Sequence, residues 1–252
     1  MRLTLPTPRT LKPASGIAHF LHLGLVLVLP VAVFVLVRLN VFQLALSIIV
    51  LSKWRMFAVK PRFWPANIRA NAIDLMVGLS IVLFMMHSGS LWLQAIWAGL
   101  YAIWLLAIKP ASSVTMVTLQ AFIGQFVALS ALYVAWLNGP IYGLTLLSGL
   151  FCFMAARHFL DAFDEPYAKM LAYTWGYFGA ALTWLLSHWL LFYRGVAQPT
   201  LLLSAVGYGL AVLYYLDHND RLSKGARRQF IFIMVAIVLV VMAFSDWGDK
   251  VV

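Results

Sequence analysis

Long apolar runs separated by short polar or charged stretches dominate the hydropathy pattern of this chain. Nine runs approach the length of one helical crossing of a bilayer, which takes about 20 residues. Lipid offers no water to an open backbone, so each run is predicted to be a helix. The pattern predicts an all-α, polytopic transmembrane bundle. The nine runs are residues 17–37, 41–58, 72–88, 91–108, 113–136, 140–158, 169–193, 199–217 and 229–245.

The second run is the weakest of the nine. Its uninterrupted apolar part, residues 41–52, is short for a full crossing. If the run crosses, Lys53 and Arg55 must extend their charged ends to the lipid headgroups. Nine spans is the preferred count, and eight is the alternative.

The distribution of Lys and Arg predicts the orientation. With the N-terminus in the cytoplasm, 15 of the 18 Lys and Arg residues fall on the cytoplasmic side, where basic loops are retained during insertion. Arg38, Arg194 and Lys250 fall outside. Residues 1–16 are then a cytoplasmic tail, 17–245 a single transmembrane domain with an uncleaved first span, and 246–252 a short external tail.

Composition supports a membrane protein and argues against a nucleic-acid partner. The chain is 63% apolar and 10% charged, against about 25% charged in soluble domains. The net charge of +10 comes from residues beside apolar runs, a placement that favours anionic lipid headgroups. Cys152 is the single cysteine, which excludes an intrachain disulfide. We expect an integral protein of the bacterial cytoplasmic (inner) membrane.

Residues 53–69, here called the basic elbow, carry five cations interleaved with aromatic residues. Pro61 and Pro65 rule out one continuous helix through the elbow. The segment is a candidate grip for a phosphate-bearing lipid headgroup, although a topology signal with an aromatic belt explains the same pattern. The candidate headgroup residues are Lys53, Arg55, Lys60, Arg62, Trp64, Arg157 and Arg221.

Carboxylates and histidines gather at the cytoplasmic ends of the sixth and eighth runs. Oxygen ligands suit a hard divalent cation such as Mg²⁺, and residues three apart share a helix face. Ordinary ion pairs and helix-end charges are the alternative interpretation. The candidate metal ligands are His158, Asp161, Asp164, Asp217, His218 and Asp220.

Two runs carry polar or aromatic groups within the membrane. Tyr177, Trp184 and His188 share one face of the seventh run, and Gln120 and Gln125 lie in the fifth. The face of the seventh run is a candidate to line a groove for an acyl or isoprenoid chain, and the fifth run is a candidate to line a path for a neutral solute. Hydrogen bonding to neighbouring helices is the alternative for both.

Small residues four apart mark expected sites of close helix packing. Gly176 with Ala180 is one such pair, and Ala95 with Gly99 is another. We expect a neighbouring helix to approach closely at each pair.

The sequence contains none of the common catalytic motifs. Under the predicted topology no Asp, Glu, Lys or Arg lies near the middle of a span, and Asp74 is expected at the start of the third run. An ion-coupled carrier usually keeps ionisable groups near the midplane. The favoured hypothesis is a membrane enzyme or binding protein that handles an anionic lipid or lipid-linked substrate at the cytoplasmic leaflet. The alternatives are a non-enzymatic subunit or scaffold of a larger envelope complex, with membrane proteins as partners, and a transporter of a neutral solute.

Overall fold

The computed structural model describes residues 17–136, 139–163, 165–188, 192–193 and 196–245. The α-helices in this part of the chain are α1 (Ile17–Arg38), α2 (Phe42–Leu51), α3 (Trp64–His87), α4 (Leu91–Ile103), α5 (Val114–Ala135), α6 (Ile141–Asp161), α7 (Ala168–Ser187), α8 (Gln198–His218) and α9 (Lys224–Phe244). Two 3₁₀ turns, Trp54–Met56 and Pro61–Phe63, precede α3. A π-turn, Trp104–Ile108, continues α4.

Six helical segments are long and apolar enough to cross a membrane. They are Pro61–His87, Leu91–Ile108, Val114–Ala135, Ile141–Asp161, Gln198–His218 and Lys224–Phe244. This finding confirms the predicted class, a helical membrane protein. The count of nine spans, the orientation and the two predicted tails stay predictions, and the tails lie outside the described residues.

The expectation of one helix over residues 41–58 is wrong. Helix α2 has 10 residues and is therefore about 15 Å long, half the thickness of a hydrocarbon core. After Leu51 the chain enters the 3₁₀ turns of the basic elbow. Pro61 begins the second of these turns, and Pro65 lies in the first turn of α3, where a missing backbone N–H costs nothing.

Three other boundaries differ from the prediction. Helix α3 starts at Trp64, well before residue 72, so Asp74 lies inside the helix. Helix α7 ends at Ser187, and strands β1 (Phe192–Tyr193) and β2 (Val196–Ala197) then pair antiparallel, a structure that aromatic and β-branched residues favour. Helix α9 starts at Lys224 because the Ser223 hydroxyl caps it, accepting from the Ala226 N–H at 3.1 Å.

Helices α1 to α4 enclose one apolar core, and α5 links it to α6 and α8. Val33, Ile49 and Met85 are completely buried in that core. Helices α6 and α7 form the most extensive helix pair, at the predicted Gly176 and Ala180. Within the described part of the chain nothing lies within 4 Å of a Cβ built at Gly99, so the predicted close contact is not found there.

Alternating helices place charge at one end of the bundle, here called the basic end. It holds the C-terminal ends of α2, α4, α6 and α8 and the N-terminal ends of α3, α5, α7 and α9. Among the described cations, Arg38 lies at the opposite end. Those at the basic end are Lys53, Arg55, Lys60, Arg62, Arg69, Lys109, Arg157, Lys169, Arg221, Lys224, Arg227 and Arg228.

Candidate functional site

A cavity of about 660 Å³ lies between α5, α6, α7 and α8. Its volume is in the range of small-molecule binding sites. The wall is mainly apolar and aromatic, so the cavity suits a hydrocarbon chain. Residues from all four helices contribute, among them Phe122, Phe159, Leu171, Phe178 and Ala211.

Gln125, one of the predicted intramembrane polar residues, forms part of the cavity wall. Its Nε2 donates to the carbonyl of Leu203 at 3.0 Å, and its Oε1 accepts from Trp175 Nε1 at 3.0 Å. Gly207 lies against this pair, and a Cβ there would be 2.8 Å from Trp175 Cζ2. Through these two hydrogen bonds the Gln125 amide connects α5, α7 and α8 at the cavity wall.

The cavity ends in polar groups at the basic end. Tyr214, Asp217 and Arg227 lie there, and Arg227 Nη2 is 3.8 Å from Asp217 Oδ1 with both side chains exposed. An exposed pair at this distance is weak. Arg227 is therefore available to a ligand anion, and the predicted headgroup residue Arg221 is exposed nearby in the chain.

Tyr214 connects the cavity mouth to the segment before α7. Its hydroxyl donates to Glu165 Oε2, and its ring packs against Phe163 with centroids 5.3 Å apart. The hydrogen bond from Tyr214, with a second from the Tyr167 N–H, lowers the pKa of Glu165. The carboxylate is held ionised beside the mouth.

A second polar site surrounds Asp74, which sequence reasoning placed at the start of a span. The side chain is 8% exposed, and Oδ2 pairs with Lys53 and, at 2.6 Å, with Lys109. Oδ1 accepts from Trp104 Nε1 at 3.0 Å. The sequence signal for this site is an ionisable residue within an apolar helix, because a buried carboxylate needs cationic or hydrogen-bonding partners.

The basic elbow divides into exposed and buried cations. Arg55, Lys60 and Arg62 are exposed, with Arg62 above the Phe63 ring at 4.6 Å. Trp64 is exposed and donates to the Val59 carbonyl at 3.0 Å. Lys53 instead turns inward to Asp74, so the predicted headgroup set does not form one surface.

The predicted metal ligands on α6 already have partners. Asp161 lies 2.6 Å from the predicted headgroup residue Arg157 and 3.5 Å from Arg69. Gln120 donates to the carbonyls of Ile108 and Ala111 at 2.7 and 2.8 Å, so its oxygen must accept from His158 Nε2, at 3.0 Å. His158 then retains Nδ1 alone as a free ligand atom.

The other predicted ligands lie at the end of α8. His218 packs against Phe163, with ring centroids 5.2 Å apart, and Asp220 has a positive φ of 53° in the turn that follows. Asp164 lies outside the described residues. Among the described residues, no three His, Cys, Asp or Glu side chains are grouped so as to hold a metal. The magnesium site stays a prediction.

The aromatic face of α7 points away from the cavity. Tyr177 is 78% exposed, and Trp184 lies between Tyr142 and His188 on the same outer surface, with ring centroids 5.6 and 5.1 Å apart. Leu171 and Trp175 line the cavity from another face of the helix. The predicted face and the chain-sized space are therefore separate.

Fold and apolar helices together define a helical protein of the integral membrane class. Comparison of the chain with protein-family models, with curated proteins and with solved structures finds no match. Any assignment of function must therefore come from the cavity and the charged groups described above.

Proposed function

We propose that this integral membrane protein binds an anionic lipid or lipid-linked ligand at the basic end. The cavity between α5 and α8 carries the proposal, because it combines an apolar wall with a mouth formed by Tyr214, Asp217 and Arg227. The hydrocarbon chain of the ligand occupies the cavity. Its charged head meets Arg227, with Arg221 in the adjacent turn.

Selectivity in such a site comes from the head of the ligand. Lipid tails are as apolar as the cavity wall, so moving a chain from bilayer to cavity gains little free energy. A phosphate near Arg227 forms charge-assisted hydrogen bonds, which are roughly twice as strong as neutral ones. The weak Asp217–Arg227 pair separates at little cost.

The exposed cations of the basic elbow add attraction to the membrane surface. A basic residue near an anionic leaflet contributes about 1 kcal/mol. Arg55, Lys60 and Arg62 are placed for this role, and Trp64 lies among them. In this proposal the elbow holds the protein against anionic headgroups, and the cavity takes the specific ligand.

Lipid retention after purification tests the cavity. Ala211 lines the cavity, and Ala181 is exposed on α7 outside it. We expect Ala211→Phe to fill the space and lose the lipid that wild type retains in native mass spectrometry. Ala181→Phe, the matched control, should retain that lipid. Equal retention by both variants would reject the cavity as the binding site.

A matched pair of arginines tests the head of the ligand. Arg227 lines the mouth, whereas Arg228 is exposed and absent from the lining. Arg227→Gln should reduce retention of anionic lipid while leaving any zwitterionic lipid unchanged. Arg228→Gln should behave as wild type. If both variants lose lipid equally, the effect reports overall charge, and Arg227 has no specific role.

Helix α9 supports a second candidate function, a subunit of a larger membrane complex. It packs along α8, and only 6% of its apolar window is buried. Among the described elements α8 is its principal neighbour, so the remaining surface is offered to a partner helix. Purification in gentle detergent should then recover a defined partner protein, and recovery of the chain alone as a monomer would reject this candidate.

A further inference from the structure

We propose that Lys53, Asp74 and Lys109 form a binding site for a phosphate group, separate from the cavity between α5 and α8. The phosphate comes either from an anionic lipid or from a soluble phosphate compound. The site goes beyond the proposed function, since it lies among α2, α3 and α4 and shares no residue with the cavity lining.

Charge at the cluster is unbalanced. Two ammonium groups meet one carboxylate, and Asp74 is the carboxylate that pairs with both among the described residues. Asp161, the acidic residue of the neighbouring α6 end, is engaged by Arg69 and Arg157. Counted over the described groups, one positive charge is left over, and a bound anion neutralises it.

Burial makes the imbalance costly. The side chains of Asp74 and Lys53 are 8% and 11% exposed, and an uncompensated charge in such surroundings strongly destabilises a fold. The Lys109 side chain is 39% exposed and opens the cluster toward the basic end. A phosphate oxygen can therefore reach Lys109 from the headgroup region and neutralise the cluster from that side.

Hydrogen-bond capacity points the same way. Each ammonium has three donors. Both lysines are ion-paired with the same oxygen, Asp74 Oδ2, whereas Oδ1 accepts from Trp104 Nε1. One carboxylate oxygen cannot occupy all the donors of two ammonium groups, so donors remain for a further acceptor. Phosphate presents several strong acceptor oxygens, and lysine binds phosphate as a point charge.

The backbone departs from regular helix to build this cluster. In an α-helix, residues five apart point about 140° from each other. At the end of α4 the Lys109 N–H donates to the Trp104 carbonyl at 2.8 Å, which closes a π-turn. Trp104 and Lys109 therefore both contact Asp74. Single π-turns within helices are frequent at functional sites.

Purified full-length protein tests the site with two probes, inorganic phosphate and phosphatidylglycerol in phosphatidylcholine nanodiscs. The readout is the thermal unfolding midpoint as a function of probe concentration. We expect a rise with at least one probe. A response to phosphatidylglycerol alone supports a lipid source, and a response to inorganic phosphate supports recognition of the phosphate group itself. No response to either probe overturns the proposal.

Lys109→Gln and Lys224→Gln separate the site from general charge. Both remove one cation from the basic end, but Lys224 is exposed outside the cluster. Loss of one charge-assisted hydrogen bond should raise the probe concentration needed by about tenfold in Lys109→Gln. Lys224→Gln should respond as wild type does. Equal losses in the two variants overturn the proposal.

Asp74→Asn gives an independent readout. Without the carboxylate the two ammonium groups repel each other, so phosphate should raise the unfolding midpoint of this variant more than that of wild type. An equal or smaller rise overturns the proposal. If Asp74→Asn does not fold, the comparison of Lys109→Gln with Lys224→Gln tests the proposal. Ala211→Phe, which fills the cavity among α5, α6, α7 and α8, should leave the phosphate response unchanged, so the two proposals fail separately.

Discussion

Gly149 on α6 and Gly176 on α7 face each other so closely that a Cβ on either glycine would lie 2.9 Å from the other's carbonyl oxygen. One turn further along α7, the Cβ of Ala180 lies 3.0 Å from a Cβ built on Gly149. In a bilayer no hydrophobic force drives helices together, so close backbone packing must supply the attraction. This contact fixes α7, which forms one wall of the cavity.

Gly176→Leu should therefore separate α6 from α7. Overpacking at a tight contact costs about 1–3 kcal/mol, and we expect a lower unfolding midpoint in detergent together with loss of cavity-bound lipid. Gly99→Leu is the matched control, because no described residue lies within 4 Å of a Cβ built at that glycine. A Gly176→Leu variant as stable as Gly99→Leu would show that the helices do not meet here.

Replacement of Gln120 by leucine should destabilise the basic end. The variant leaves the Ala111 carbonyl and the His158 ring without the Gln120 amide, and the Ile108 carbonyl keeps only the Ala111 N–H, at 3.3 Å. Buried polar groups without hydrogen bonds cost about 1–3 kcal/mol each. Gln43→Leu, at an exposed position on α2, should have little effect. Thermal unfolding of both variants measures the difference, and equal midpoints would contradict the expectation.

The Tyr214–Glu165 hydrogen bond should make stability depend on acidity. A lowered carboxyl pKa stabilises the folded state above the unfolded pKa, near 4.5, and this contribution disappears as pH falls through the folded pKa. The midpoint of Tyr214→Phe should lie below wild type at neutral pH and approach it below about pH 4. Tyr208→Phe, on the same helix, is the control. If the difference in unfolding midpoint between wild type and Tyr214→Phe did not change with pH, the Glu165 carboxylate would be excluded as its cause.

Single-cysteine labelling tests the predicted orientation. Cys152 is buried, so an impermeant maleimide should leave the wild-type chain unlabelled in intact cells. Ser90 lies at the opposite end from Lys60, and both are exposed. Ser90→Cys should label from outside, and Lys60→Cys only after permeabilisation, because cationic segments stay in the cytoplasm. The reverse pattern would invert the topology.

Hydropathy was sufficient where a run was long and uniform. Helices α5, α6 and α8 begin within two residues of their predicted positions, since bilayer-length apolar runs have few alternatives. It failed at α2, where the 3₁₀ turns of the elbow replace the last predicted turns of helix. It also failed after Ser187, where short-range strand pairing replaces helix. The ends of α2 and α7 depend on local backbone conformation, which the average hydropathy of a segment does not report.

The sites were harder to predict than the helices. Ordinary apolar residues from four helices line the cavity, and nothing in one helix distinguishes them from residues that face lipid. The Asp74 cluster requires the early start of α3 and the π-turn of α4, neither of which alters the hydropathy pattern. The isolated carboxylate of Asp74 was the one local clue, whereas its two lysines are distant in sequence.

Because of the π-turn, the position of Lys109 depends on the number of residues at the end of α4 more than on their identity. Deleting one residue between Leu105 and Ile108 would restore ordinary helical winding and swing the Lys109 side chain away from Asp74. An apolar exchange such as Leu106→Ile would preserve the register. The number of residues between Trp104 and Lys109 therefore matters more than which apolar residues they are. A variant shortened by one residue should lose the contact between Lys109 and Asp74, although its hydropathy hardly changes.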